Sequence, residues 1–329
     1  AGAGILIRYQ NGVAVASGTC TVQNCIISDN SVAFLSSSIG AGIYGQSPSA
    51  VWWGLNMSNC VVRRNEALYG PVAGNISYGG GIYGSYMFLW MTNCTIQDCT
   101  ATYGGGICGN YATLENCTFT RNRAKKGTAP GASAYEPRGG GMYLSAASTL
   151  RNCLLATNVS DLASEHCRFE GAGTYYMENC TVAGGKGGTS GYGGPIHVNG
   201  SANLVCVNCI ICSNTLGAPL PFQASIIMNT GRGFITNCFI APFPGYSMPP
   251  GKFDVVNSVT GTNIAPGFVN FGQDLRLQKE SPLVNAGYNM PWMGIAEDLD
   301  GFSRKDRFSG TVDMGCYEYH SRGIMFKMR

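Results

Sequence analysis

Charge is scarce in this chain: of its 329 residues only 12% are charged, and only three are histidine. So little charge leaves no material for long solvated helix faces, and no amphipathic helical stripe is found. A net charge of +3 is too mild to mark a nucleic-acid partner or an acidic membrane surface. Long apolar runs are missing as well, none reaching the roughly 18 residues that a membrane-crossing helix needs. No signal peptide is visible, and Ala1 could be a mature terminus left by removal of one. His166, His197 and His320 stand in three unrelated contexts, which supports neither a Ser/His/Asp triad nor a histidine metal site. No cofactor is expected.

What is abundant is glycine, with 47 residues, and a recurring dipeptide. Asn-Cys occurs eight times, as Asn24-Cys25, Asn59-Cys60, Asn93-Cys94, Asn116-Cys117, Asn152-Cys153, Asn179-Cys180, Asn208-Cys209 and Asn237-Cys238. The residues two before and three after each Asn, from Val22 and Ile27 to Ile235 and Ile240, are apolar in all sixteen cases. Self-similarity at a spacing of 23 to 36 residues is the signature of a repeat architecture. Within each copy apolar residues alternate, and the Asn shifts the alternation by one, so each copy reads as two short strands joined at a corner. A third strand opens on glycine: Gly40-Ala41-Gly42-Ile43-Tyr44, Gly79-Gly80-Gly81-Ile82-Tyr83, Gly104-Gly105-Gly106-Ile107-Cys108, Gly139-Gly140-Gly141-Met142-Tyr143 and Gly193-Gly194-Pro195-Ile196-His197. The expected fold is therefore all-β, a parallel β-helix of three strands per coil and about nine coils over residues 1–245, with a closing or capping module over 246–329.

Equivalent residues of successive coils stack about 4.8 Å apart in such a fold. The eight Asn are expected to form a structural amide ladder at a tight inward bend, and the eight Cys beside them a column of buried thiols. A second ladder follows five residues after each Cys, as Asn30, Asn65, Asn122, Asn158 and Asn214, broken by Cys99, Gly185 and Phe243. Cys20, Cys99, Cys108, Cys167, Cys206, Cys212 and Cys316 fall outside the column and are the expected candidates for disulfide pairing. Cys206, Cys209 and Cys212 are spaced like metal ligands without completing a zinc pattern.

After Asn237-Cys238 the glycine signature stops and prolines cluster at Pro242, Pro244, Pro249 and Pro250. From about Ile264 to Tyr319 come Pro266-Gly267-Phe268-Val269, Leu275-Arg276-Leu277-Gln278, Ser281-Pro282-Leu283-Val284-Asn285-Ala286-Gly287, Asp298-Leu299-Asp300-Gly301 and Val312-Asp313-Met314-Gly315-Cys316-Tyr317-Glu318-Tyr319. These phrases in this order resemble the closing segment of bacterial secreted right-handed parallel β-helix proteins that carry a choice-of-anchor domain. The upstream coils resemble the Gly-Gly-[Ala/Ile] and Phe-x-x-Asn repeats of chlamydial polymorphic outer-membrane proteins, most closely at Phe119-Thr120-Arg121-Asn122. Other copies carry Ile27, Val62, Leu155 or Ile211 in place of Phe. The resemblances imply a right-handed coil and an exported protein of the cell surface or extracellular space.

Functional candidates must lie on outward faces, because the interior is filled. Arg63, Arg64, Arg121 and Arg123 read either as a groove for an anionic ligand or as a solvated basic patch, without the carboxylate cluster of a polysaccharide-cleaving site. Asp298, Asp300 and Asp313 form the best acidic cluster, a weak calcium candidate that loop-fixing hydrogen bonds would explain as well. If Ile43, Ile82, Ile107, Met142 and Ile196 face in, Tyr44, Tyr83, Tyr143 and His197 face out, with Trp52, Trp53 and Trp90 in adjoining segments. Such rings could contact a partner protein or a glycan, or simply stabilise the sheet. Residues 1–7 already match the repeat signature with no cap before them, and an open first coil could dock on another subunit and build a filament. The expected function is a non-catalytic extracellular structural or adhesive protein, self-associating or binding another surface protein. The alternative is a polysaccharide-binding or polysaccharide-cleaving β-helix.

Overall fold

Strands of two to seven residues cannot stand alone in water, and here each is held by its counterpart one repeat away. The structure, a computed structural model, describes residues 4–8, 18–33, 38–46, 52–68, 76–127, 136–162, 166–187, 194–216, 225–241, 251–260 and 265–320. It is a right-handed parallel β-helix with four parallel sheets running its length. Sheet I has eight strands, from Ile5–Arg8 to Ile226–Met228; sheet II has nine, from Thr19–Gln23 to Phe253–Val256; sheet III has nine, from Ile26–Ser28 to Val259–Thr260; sheet IV has seven, from Ser31–Ala33 to Thr215–Leu216. The nine strands of sheets II and III match the expected coil count. The coil carries four strands rather than three, because after the second corner the chain stays extended for two or three residues and pairs, as Thr100 does with Arg123 and Glu66.

Register carries like residues into columns. Ile5, Ile43, Ile82, Ile107, Met142, Cys167, Ile196 and Ile226 align along sheet I. They meet the sixteen apolar positions flanking the Asn-Cys pairs in one continuous core. The glycine that opens sheet I has φ of 56 to 65° at Gly40, Gly79, Gly104 and Gly139. At Gly104 a Cβ would lie 1.9 Å from the Ile107 carbonyl oxygen, so backbone strain and space both demand glycine.

The Asn of every Asn-Cys pair is left-handed, with φ between 49 and 54°, a conformation that asparagine tolerates better than most residues. This turns its side chain out of the coil and the following Cys into it, so the ladder stands on an outward corner, not at the inward bend expected. The cysteines of the column are buried except for half-buried Cys25, and each thiol donates to the carbonyl two residues back, as Cys60 does to Ser58 O at 3.2 Å. All fifteen cysteines are free, including the seven off-column residues expected to pair, because stacking spreads them over different faces. Cys206 and Cys209 join the main core while Cys212 faces the closing module, so these three converge on no common ligand.

The segment expected to close the fold divides: residues 253–260 supply the ninth strands of sheets II and III, and the closing module after them packs on a flank. Its antiparallel pair, Phe268–Asn270 with Asp274–Leu277, and the irregular chain after it lie lengthwise against sheet III. Ile210, Cys212, Phe239 and Ala183 pack there on Phe268, Leu277, Leu283 and Met314, and Leu154 and Ala156 on Cys316. This gives sheet III a second buried face in its later coils only. No helix among the described residues is long and apolar enough to cross a membrane.

Candidate functional site

Three features of this scaffold bear on function, two outward and one buried, and the first is aromatic. Alternation along Trp53–Ser58, Met87–Thr92 and Tyr111–Glu115 sends Leu55, Leu89 and Leu114 inward and Phe88, Trp90 and Tyr111 outward. Phe88 stacks on Trp90 and Tyr111 at centroid distances of 5.9 and 5.1 Å, and Trp52 leans on Phe88 at 4.9 Å. The Trp90 ring spreads over Gly54, where a Cβ would meet it at 2.7 Å. Trp90 remains 41% exposed. The same outward column runs from Trp90 through Thr113, Thr149, Tyr176 and Val205 to Phe234, and Tyr176 and Phe234 are also exposed. Around the platform stand Thr19, Thr21, Gln23, Asn56, Thr92 and Thr113, all exposed and all uncharged.

Other aromatic candidates have different places. Trp53 is core: its ring fills the space over Gly45, and its Nε1 donates to Ser85 O at 3.1 Å. Tyr44 is buried, and Tyr83 and Tyr143 are half-buried. They turn away from the lumen as expected, but Tyr78 and Tyr103 cover them in a ring ridge with centroids 5.3 to 5.9 Å apart. Burial raises the Tyr83 and Tyr143 phenols well above their ordinary range. In later coils Arg168 and His197 continue their column.

The second feature is the arginine patch, which the fold neutralises. Arg64 clasps Asp29 with two bonds of 2.6 and 2.7 Å, and Arg121 clasps Asp98 with bonds of 2.7 and 2.8 Å. All four share the second, left-handed corner, with φ from 51 to 63°. Asp29, Arg64, Asp98 and Arg121 therefore alternate in sign down one column. Arg64 holds the Asp29 carboxyl down to about 2 through its hydrogen bonds. Arg123 pairs with Asp161 at 2.7 Å, and Arg63 is half-buried on sheet III. The sequence hid the carboxylates because they sit one coil away in space but 23 or 35 residues away in the chain.

The third feature is the corner next to that column, where the buried amide ladder runs. Asn30 donates to Asn65 at 2.8 Å and Asn122 to Asn158 at 3.0 Å, while Asn65 and Asn122 also reach Ile27 O and Ile96 O at 2.9 Å. A rung needs room, and glycine across the coil supplies it: a Cβ at Gly42 would lie 3.0 Å from Asn65 Nδ2, and one at Gly141 3.3 Å from Asn158 Nδ2. One coil reverses the exchange. Its rung is Gly185, and the glycine position is filled by His166, whose ring bridges Asn158 and Asn214 with two contacts of 2.9 Å. A Cβ on Gly185 would lie 2.4 Å from His166 Nε2. The pattern fits one neutral tautomer, with Nδ1 accepting from the Asn158 amide and Nε2–H donating to Asn214 Oδ1.

Burial holds the His166 imidazole down to about 4, and the bond to Asn214 opposes this only in part. Because the folded value is depressed below the ordinary 6.5, this group's contribution is complete above pH 6.5 and is lost as pH falls toward 4. The loss reaches about 3 kcal/mol. Urea unfolding at pH 7 and pH 4 should show the wild type losing that much more than His166→Gly/Gly185→Asn, which has no imidazole there. Equal losses in both proteins would refute the assignment.

The weak calcium candidates are committed to the closing module. Asp298 Oδ1 accepts from the Asp300 and Phe302 amides at 2.9 Å, and its Oδ2 from Glu318 N at 2.8 Å. Asp313 accepts from the Asn285 amide at 2.6 Å and from Tyr319 N. Asp300 is clasped by Arg276 with two bonds of 2.6 Å. Beneath them Arg304 is fully buried, with Nη2 donating to Asp313 O and Gly315 O and lying 2.8 Å from Glu318 Oε1. Burial raises Glu318 to about 9 against the opposing pull of Arg304. Comparison with protein-family models and with curated proteins finds nothing that matches this chain.

Proposed function

We propose that this chain is a non-catalytic adhesive or structural β-helix of the extracellular space or cell surface, and that it holds an extended neutral polymer, a polysaccharide, along the outer face of sheet II. The observation that carries the reading is the aromatic line. Trp90, Tyr176 and Phe234 stand in one outward column, and five coil steps at about 4.8 Å make that line roughly 24 Å long. This length suits a polymer better than a small molecule. Thr, Asn and Gln around the Trp90 end offer hydrogen bonds without charge, which suits a neutral chain of hydroxyl groups, and farther along the adjoining row carries Glu115 and the Arg151–Glu178 ion pair. A cleaving reading needs a carboxylate free to exchange protons, whereas Asp29, Asp98, Asp161, Glu178 and Asp300 are each bonded to arginine.

The likeness of residues 264–319 to the closing segment of exported choice-of-anchor β-helices, and of the coils to the chlamydial surface repeats, supports the location. Head-to-tail assembly belongs to the same reading, because both ends of a solenoid offer strand edges. The test is calorimetric titration of the full chain with neutral and with acidic polysaccharides. Trp90→Ala should weaken binding of a neutral polysaccharide about tenfold, a loss of ~1.4 kcal/mol. Equal binding by the variant, or binding of acidic chains alone, would sink the platform. Electron microscopy across a concentration series checks assembly, and monomers at every concentration would end that part.

A further inference from the structure

The outward Asn corner does two different things along its length. From Asn152 onward its amides hold main chain of the closing module. Asn152 donates to Glu297 O at 2.8 Å and Asn179 to Asp313 O at 3.0 Å. Asn208 donates to Tyr288 O at 2.8 Å and accepts from Tyr288 N at 2.7 Å. The same corner continues through Asn24, Asn59 and Asn93, with the same backbone at φ of 53 to 54°. There the amides are exposed and bond to one another, Asn59 to Asn24 at 3.2 Å and Asn93 to Asn59 at 3.4 Å.

The apolar partner of the corner repeats as well. Under the module the outward first residues of sheet III, Ile210 and Phe239, are buried. Their counterparts in the first two coils are Ile26 and Val61, and Ile26 is 65% exposed. The open stretch runs toward a cleft of about 340 Å³ between Asn93, Asn116 and the loop at 297–301, where the module's own chain ends its run along the corner.

We propose that Asn24, Asn59 and Asn93, with Ile26 and Val61, dock an extended, uncharged segment of a second polypeptide. The rungs would meet its main-chain carbonyl and amide groups as Asn208 meets Tyr288, and an apolar side chain of the segment would cover Ile26. The argument is continuity: amide rungs at one-coil spacing beside an apolar column already bind irregular main chain in the later coils. This face is separate from the aromatic platform and does not depend on it.

A peptide of this chain's residues 283–296, carrying a fluorophore, is the probe, since it is uncharged and its main chain meets the equivalent rungs Asn208 and Asn237 within the molecule. Its anisotropy should rise saturably on titration with the full chain. Asn59→Gly/Asn93→Gly removes two amides while keeping a residue suited to positive φ, and should weaken binding at least about tenfold. Trp90→Ala should leave the affinity unchanged. Absence of binding at millimolar protein, or equal affinity in the double variant, would overturn the proposal. So would a loss confined to Asn208→Gly, which would mean that the peptide merely exchanges with the module's own chain.

Discussion

Gly185→Asn, made alone, should destabilise the protein by about 3 kcal/mol, because the new side chain must enter space that the His166 ring already fills. His166→Gly, made alone, should cost about 4 kcal/mol, because it empties a ring-sized volume and removes the group that bridges Asn158 and Asn214. Together they should cost no more than about 1 kcal/mol, a coupling of several kcal/mol between residues in direct contact. The double variant recreates what other coils have, glycine opposite asparagine, as at Gly141 with Asn158. Gly185 has no positive φ, so asparagine meets no backbone penalty there. Denaturant unfolding of the four proteins decides the matter: simple addition of the two single losses would show that the ring and the missing rung are independent.

Arg304→Met should cost about 4 kcal/mol, although it keeps most of the side-chain volume. Arg304, Asp298 and Asp313 are all buried, and removing the guanidinium leaves the two aspartates without its charge and the Asp313 and Gly315 carbonyls without their donor. Glu318→Gln should change stability at pH 4 by no more than about 1 kcal/mol, because Glu318 carries its proton there in the folded and the unfolded chain and the amide oxygen can replace the carbonyl that accepts from Asp313 N. The folded value, about 9, lies above the ordinary 4.5. Glu318 therefore contributes stability that is complete below pH 4.5 and is lost as pH rises to 9, so the wild type should fall behind the Gln variant across that window. A Gln variant as damaging as Arg304→Met would show that Glu318 is ionised in the folded protein.

The coil count and the inward columns were legible because a repeated apolar frame has only one way to fill a solenoid. The direction of the Asn-Cys corner was not, since apolar spacing says nothing about the sign of φ, and only the left-handed backbone sends Asn out and Cys in. The two broken columns were visible as exceptions, Gly185 among the asparagines and His166 in place of glycine. Their complementarity needed the knowledge that they share a coil. The flank docking of the module had a signal that was available. The strand after Asn-Cys reads Ile-Ile-Ser, Val-Val-Arg, Thr-Ile-Gln and Thr-Phe-Thr in the first four coils, then Leu-Leu-Ala, Thr-Val-Ala and Ile-Ile-Cys. The change at the third position, from Ser28, Arg63, Gln97 and Thr120 to Ala156, Ala183 and Cys212, marks the onset of burial on both faces. The arginine patch was misleading for a related reason, because its partners lie along the helix axis and not along the chain.

That axial column imposes a parity on the growth of this molecule. Asp29, Arg64, Asp98 and Arg121 alternate coil by coil, so duplicating one coil would set Asp against Asp or Arg against Arg at strand spacing, where like charges repel. Duplicating two coils keeps every neighbour opposite in sign. A lineage that lengthens this end of the solenoid should therefore add coils in pairs, and the sign of the charge at this corner would record how far each has been copied.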